Sequence, residues 1–182
     1  FLPHGVHLAD ISSSGVVLKD GNGFETPIEE LSDGYRAVLS LTFDLIRHMA
    51  NAFGYDHLFD PNDPTVVIPG GVVLIDEIDV HLHPTWQRTI GLWFKRHFPN
   101  VQFIVTTHSP LVCQTADSIF VLPAPGSDEP ARMLEGVELD RVRHGNVLDA
   151  YSTGVFGRGV TRSDESKKRL ARLAELDRQE LA

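Results

Sequence analysis

Two acids in succession, Asp76-Glu77, close the aliphatic run Val72-Val73-Leu74-Ile75. Four aliphatics without alternation read as a strand buried on both faces of a parallel sheet. In such sheets the working crevice lies at the carboxyl ends of the strands. An aspartate there can hold Mg²⁺, directly or through water, and a neighbouring glutamate can take a proton from an attacking water or orient it. Taken alone, the pair also serves simply to end a strand and cap the next helix. A second run, Val101-Gln102-Phe103-Ile104-Val105, ends in Thr106-Thr107-His108-Ser109-Pro110. If the two strands lie in one parallel sheet, Asp76, Glu77 and His108 share an edge, where an imidazole could donate to a phosphate oxygen and stabilise charge developing on it. A lone histidine at a strand end is otherwise structural. The third feature is Leu31-Ser32-Asp33-Gly34-Tyr35-Arg36. Unpaired N–H groups at a helix start, a small hydroxyl and a glycine make a phosphate site, or an ordinary N-cap.

The surrounding elements must position these groups. Gly15–Lys19, the turn Asp20-Gly21-Asn22-Gly23 and Phe24–Ile28 predict a β-hairpin, since Asp-Gly and Asn-Gly supply the positive φ that such turns need. From Ser32 a helix follows, with Val38, Leu41, Thr42, Leu45 and Met49 on one stripe and Leu39, Phe43 and Ile46 beside it. So wide an apolar arc predicts a mostly buried helix. Residues 51–69 read as loop, broken by Gly54, Pro61, Pro64 and Pro69. Pro84 suits the first turn of a helix that carries Trp86, Ile90, Trp93, Phe94 and His97 and stops before Pro99. Ser118–Leu122 is a third candidate strand, and 162–182 a charged helix with Leu170, Leu173, Ala174 and Leu181 on a narrow stripe. Strand, helix and strand at this spacing predict an α/β domain around a mostly parallel sheet, with an N-terminal β-hairpin and C-terminal helices.

Composition narrows the function classes. The 182 residues are 42% hydrophobic and 23% charged, ordinary for a globular chain of about one domain. No apolar run is long enough to span a membrane, and no charged-then-apolar start marks a signal peptide. A formal net charge of −9 argues against nucleic-acid or anionic-membrane binding through bulk charge. The basic cluster of Arg158, Arg162, Lys167, Lys168, Arg169 and Arg172 is the place to look for a local nucleic-acid or partner contact, and otherwise a solvated face. Cys113 stands alone, which leaves no disulfide framework and fits a reducing cytoplasm.

In this order the motifs resemble the C-terminal half of an ABC-type ATPase domain, in the branch of AAA/OLD-like, Septu and retron defence ATPases and DNA-repair ATPases rather than transporters. Leu31–Arg36 looks like the signature motif, Val72–Glu77 like the Walker B strand with its catalytic acid, Glu77–Pro84 like the D-loop with a His-Leu-His-Pro ending, and Thr106–Pro110 like the switch-histidine loop. The resemblance implies a P-loop NTPase fold, with Asp76 holding Mg²⁺, Glu77 activating the hydrolytic water and His108 contacting the γ-phosphate of ATP. It also implies that Ser32 and Gly34 reach the γ-phosphate held by an opposite subunit, that Asp79 works across that interface, and that ATP sandwiched between two copies couples binding to homodimerisation or higher assembly. Residues 1–145 would be the ATPase portion and 146–182 a helical tail. The tail from Val147 is similar to ATPases of bacterial defence modules, where the ATPase often restrains a nuclease or retron partner.

One part of the family pattern is absent. No Gly-x-x-x-x-Gly-Lys-Ser/Thr loop is present, since none of the four lysines (Lys19, Lys95, Lys167, Lys168) follows a glycine. With Phe1 an unusual start, the expectation is a C-terminal fragment, inactive alone, or a chain whose partner supplies the loop. Competing readings are an ATPase-like module that only dimerises or scaffolds, and a fragment of a DNA-repair ATPase, which would want a coiled-coil insertion. His81 and His83 lack a third ligand cluster for zinc. Asp76 and Asp79 are spaced Asp-x-x-Asp, not the Asp-x-Asp of a Toprim nuclease. Gly154, Gly157 and Gly159 lack the order of a dinucleotide fingerprint.

Overall fold

The computed structural model describes residues 6–13, 15–157 and 163–180, with side chains through 173. The chain divides into two compact units, Phe1–Thr107 and His108–Ala182. The first opens with β1 (His7–Ser12), β2 (Gly15–Lys19) and β3 (Glu25–Pro27), an antiparallel sheet in that order. The expected hairpin is β2–β3, with Leu18 opposite Thr26. Its turn closes because the Asp20 carboxylate accepts the N–H groups of Phe24 and Asn22, each at 2.9 Å, while Gly23 takes φ +89°. The Phe24 N–H, foremost among these donors, holds the Asp20 carboxyl below its ordinary range. β1 is an addition to the sequence reading, and all six of its residues are exposed.

Helix α1 (Asp33–Phe53) follows Ser32 as expected. Gly34, Val38, Leu39, Thr42, Met49 and Ala50 are buried, but Phe43, from the second stripe, is 57% exposed. The buried Thr42 hydroxyl is satisfied by donating to the Val38 carbonyl at 2.6 Å. The segment after α1 is loop-like, pinned by a bridge between Phe59 and Val67 and by an Asp60 carboxylate that accepts the Asn62 N–H at 2.7 Å.

β4 (Gly71–Ile75) and β5 (Val101–Val105) pair in parallel, register Gly71 to Val101 through Ile75 to Val105. Between them run α2 (Pro84–Gln87) and α3 (Ile90–His97), where the sequence had suggested one helix. At the break the Thr89 N–H bonds the Trp86 carbonyl at 2.9 Å, an i−3 turn in place of a helical i−4 bond, and the Thr89 hydroxyl lies 3.2 Å from the Thr85 carbonyl. The expectation of strands buried on both faces also needs correction. Along β4 and β5 exposure alternates: Phe94 of α3 stacks on Phe103 at 4.4 Å and Phe98 meets it edge-on at 6.1 Å. On the opposite face, Val72 (62%), Leu74 (76%) and Ile104 (50%) stay exposed, because among the described residues only one face receives such a layer.

His97 ties the loop before β4 to α3. Its ring is buried beside Trp93 (centroids 4.8 Å), Nδ1 donates to the Thr65 carbonyl at 2.7 Å, and its own carbonyl accepts the Val67 N–H at 2.8 Å. Burial, above all, pushes the His97 imidazole below its ordinary 6.5, against the pull of the Thr65 carbonyl. The folded state therefore favours neutral His97, and the unfolded chain binds the extra proton first as pH falls. The stability that this provides is complete above about pH 6.5 and is lost as pH falls toward the lower folded value. The expected result is a His97→Gln destabilisation, read from urea midpoints, that is smaller at pH 5 than at pH 7.5. A destabilisation equal at both pH values would refute the assignment.

The second unit contains α4 (Pro110–Cys113), β6 (Phe120–Val121), β7 (Arg132–Met133), α5 (Gly136–His144), α6 (Val147–Ser152) and α7 (Asp164–Glu180). Cys113, Ile119, Leu134, Val142 and Ala150 form its buried centre, so Val142 of α5 and Ala150 of α6, on either side of residue 145, share one cluster. The third candidate strand is shorter than expected, and β6 pairs antiparallel with β7 rather than extending a parallel sheet. Pro123 ends it by removing a ladder donor. On α7, Lys167 pairs with Asp164 (3.3 Å) and Arg169 with Glu165 (2.5 Å), as on a solvated helix face. Leu170 and Leu173 are exposed. Arg158, Gly159, Arg162, Leu181 and the side chain of Ala174 lie outside the described residues. Among those described, no helix is long and apolar enough to cross a membrane.

Candidate functional site

The parallel register brings the carboxyl ends of β4 and β5 level, so that residues 76–78 run beside Thr106. The Thr106 N–H donates to the Ile75 carbonyl at 2.9 Å, and its own carbonyl accepts the Ile78 N–H at 3.1 Å. Between these two bonds its hydroxyl donates to Asp76 Oδ1 and accepts the Glu77 N–H at 2.8 Å. One threonine thus bonds four consecutive residues across the sheet edge. Thr107, the next residue, donates its hydroxyl to Asp79 Oδ1. The side chains of Asp76 and Glu77 stand at an exposed edge, and Ile78, buried, anchors the chain beneath them.

The loop from Glu77 to His83 is tightly specified. Glu77 (φ +49°) and His81 (φ +67°) both occupy the left-handed region, which costs residues with a Cβ. Turn bonds from Val80 N–H to the Glu77 carbonyl (3.0 Å) and from Leu82 N–H to the Asp79 carbonyl (3.1 Å) hold the backbone. Gln87 reaches back from α2 to the Leu82 carbonyl at 2.9 Å. His83 Nδ1 accepts the Thr85 N–H at 3.3 Å and caps α2, with Pro84 at the first helical position. His83 therefore has a local structural task.

The N-terminus of α1 meets the far end of this loop. A Cβ at Gly34 would stand 2.5 Å from the His81 carbonyl oxygen, so only glycine lets helix and loop approach this closely. Tyr35 and Trp86 meet edge-on at 5.7 Å, and burial raises the Tyr35 phenol above its ordinary value, keeping it protonated. Ser32 stands at the N-cap position, yet its hydroxyl makes no capping bond. The N-cap reading of Ser32 therefore does not account for its side chain. Arg36 pairs with Asp33, offsetting the acid of the first turn. Ser32, Gly34, Tyr35, His81, Leu82 and Trp86 line an open cleft of about 490 Å³.

Of the residues singled out from sequence, Asp76, Glu77 and Asp79 are joined through Thr106 and Thr107, and Ser32 and Gly34 adjoin His81 at the end of the same loop. His108 is the first residue of the second unit and is exposed. Thr106 and Thr107 were missed. Their signal was present: two hydroxyls directly after one β-run, level with two acids after another.

The donor chemistry fits a hard cation. Asp76 is exposed, and only its Oδ1 is engaged in the bond from Thr106, a carboxylate–hydroxyl setting suited to Mg²⁺. Among the described residues no three His, Cys, Asp or Glu side chains gather as a metal cage, so the other ligands to such an ion would be water and phosphate oxygens.

Comparison with known proteins places these features in context. Residues 3–114 match a family described as "AAA domain, putative AbiEii toxin, Type IV TA system". The Retron Ec83 probable ATPase of Escherichia coli is 42% identical over 102 residues, 56% of this chain and 18% of that protein. Septu protein PtuA of Bacillus thuringiensis is 33% identical over 132 residues, 71% of this chain and 32% of that protein. The chain thus spans less than a third of the length of either relative. A solved structure described in terms of ATP-driven dimerization and DNA stimulated activation of SMC ATPases aligns at 22% identity and TM-score 0.48, covering 73% of this chain and 75% of that one.

Proposed function

The chain belongs to the AAA domain family, and from that premise we propose that it forms the acid-bearing and partner-facing part of an ABC-type, Mg²⁺-dependent ATPase. The observation that carries the reading is the pair Asp76-Glu77 at the carboxyl end of a parallel strand, with Glu77 in a left-handed backbone held by the Thr106 hydroxyl. Asp76 would hold Mg²⁺, directly or through water, and the ion would supply charge neutralisation on the phosphate oxygens of ATP. The exposed Glu77 carboxylate orients the attacking water and takes its proton. His108 donates to the γ-phosphate. Val72–Glu77 takes the part of a Walker B strand, Leu31–Arg36 that of a signature motif, with residues 1–145 as the ATPase portion and 146–182 as a helical tail.

The cleft at the α1 N-terminus receives the γ-phosphate of a nucleotide bound by a second copy. A left-open Ser32 hydroxyl and the glycine that brings the helix onto the 77–83 loop support this role. Asp79, oriented by Thr107, sets the loop that faces the other copy. The phosphate-cradling loop comes from outside these 182 residues, since no Gly-x-x-x-x-Gly-Lys-Ser/Thr is among them. ATP-driven closure of the dimer would then switch a partner, a nuclease or retron component of a bacterial defence module in the cytoplasm. The retron and Septu relatives support that extension.

Native mass spectra and phosphate release of the full-length protein test the reading together. With ATP and Mg²⁺ the expected result is a nucleotide-bearing even-numbered assembly that releases phosphate, and a chelator should stop the release. A protein that binds no nucleotide, or that turns over equally in chelator, would overturn it.

A further inference from the structure

The four bonds of Thr106 are more than a sheet edge requires. Its two backbone bonds to Ile75 and Ile78 extend the β4–β5 ladder and would be made by any residue except proline at this position. The two hydroxyl bonds depend on the side chain. As donor, the hydroxyl fixes one oxygen of the Asp76 carboxylate; as acceptor, it receives the N–H of Glu77, the residue whose φ of +49° the backbone disfavours. A single rotatable O–H can serve both acids because a hydroxyl donates once and keeps lone pairs to accept. Valine would preserve size and branching but break both links, leaving the Glu77 N–H without its partner and Asp76 free to turn.

We propose that Thr106 is the positioning residue of the acid pair: its hydroxyl couples the orientation of the Asp76 carboxylate to the backbone of Glu77, so that the metal-holding and water-activating groups are set as one unit. Thr106 touches neither the metal nor the water and acts only through its neighbours. Thr107 repeats the device one residue on, holding Asp79 by its carboxylate, so the two successive hydroxyls fix the start of the loop at three positions. The inference rests on the ATPase reading above, and the test separates the two.

Three variants of the full-length protein are compared: Thr106→Val, Thr106→Ser and Glu77→Gln. Thr106→Val should lower kcat roughly 10²-fold, the scale of a misplaced catalytic group, with KM for ATP unchanged. Thr106→Ser, which keeps the hydroxyl, should restore most of the rate. Independently of turnover, hydrogen exchange without nucleotide should show the Glu77 N–H protected in the native protein and in Thr106→Ser, and exposed in Thr106→Val. The proposal fails if Glu77→Gln is inactive while Thr106→Val turns over normally, if serine loses as much as valine, or if Glu77 N–H protection is the same in all. Normal turnover in both Glu77→Gln and Thr106→Val would remove the catalytic reading itself, and the proposal with it.

Discussion

Glu77→Gln is expected to cut ATP turnover by roughly 10²–10⁴-fold, the usual contribution of a positioned general base, while ATP affinity is kept. The amide has nearly the size of the carboxylate and can still accept a hydrogen bond from water, but it cannot take the proton. The main-chain bond from Glu77 N–H to Thr106 is unaffected by the change, so the loop conformation should persist. Because the nucleotide is then bound and not consumed, the closed assembly should accumulate. Single-turnover phosphate release and native mass in Mg²⁺-ATP check both halves. A variant with normal turnover would show that the proton goes elsewhere, and one that fails to bind ATP would show that Glu77 has a binding rather than a chemical task.

Ser32→Arg should abolish turnover by a different route. Ser32 is exposed at the head of α1, and its hydroxyl is not used to cap the helix. An arginine there costs the fold little, since exposed substitutions mostly change stability by less than about 0.5 kcal/mol. Its side chain would reach into the cleft beside Gly34 and His81, where a phosphate from the second copy is proposed to dock. The expected pattern is turnover lost and assembly weakened, with nucleotide binding to each separate copy retained. Mixing supplies the discriminating measurement. A Ser32→Arg copy combined with a Glu77→Gln copy should regain up to one working site of two if Ser32 acts across the interface, and none if it serves its own nucleotide. A fully active Ser32→Arg protein would refute the role in either form.

Much of this arrangement was legible in the residues, for identifiable reasons. The hairpin was readable because Asp20 and Gly23 have few other uses in that spacing, and the structure employs the Asp20 carboxylate and the positive φ of Gly23. The parallel pairing of β4 with β5, though not its register, followed from two aliphatic runs separated by a helical crossover. What escaped was set by tertiary detail. The break between α2 and α3 falls at a turn where the Thr89 N–H bonds Trp86 rather than Thr85, which periodicity does not register. The short β6 was overextended because Ser118–Leu122 is apolar enough for a strand, whereas only Phe120 and Val121 find a partner, in β7. The exposed Val72 and Leu74 look in sequence like residues covered on both faces, since composition reports what a face favours and not which neighbours this chain supplies. The threonine clamp escaped because a hydroxyl gains its meaning only when the register brings it level with an acid.

The left-handed backbone at Glu77 and His81 sets stability and chemistry at odds within one loop. A left-handed conformation costs an ordinary residue about 1–2 kcal/mol, and glycine would remove most of that at either position. At Glu77 the relief would erase the carboxylate, so random variation screened only for heat resistance would drift toward a sturdier protein without the proposed catalytic acid. At His81 the side chain is exposed, but the residue lines the cleft at the head of α1 and its carbonyl abuts Gly34, so the same relief would alter the wall of the proposed phosphate dock. The loop therefore offers an engineer two substitutions that would firm the backbone, one at the cost of the proposed catalytic acid and the other at the cost of the proposed phosphate cleft.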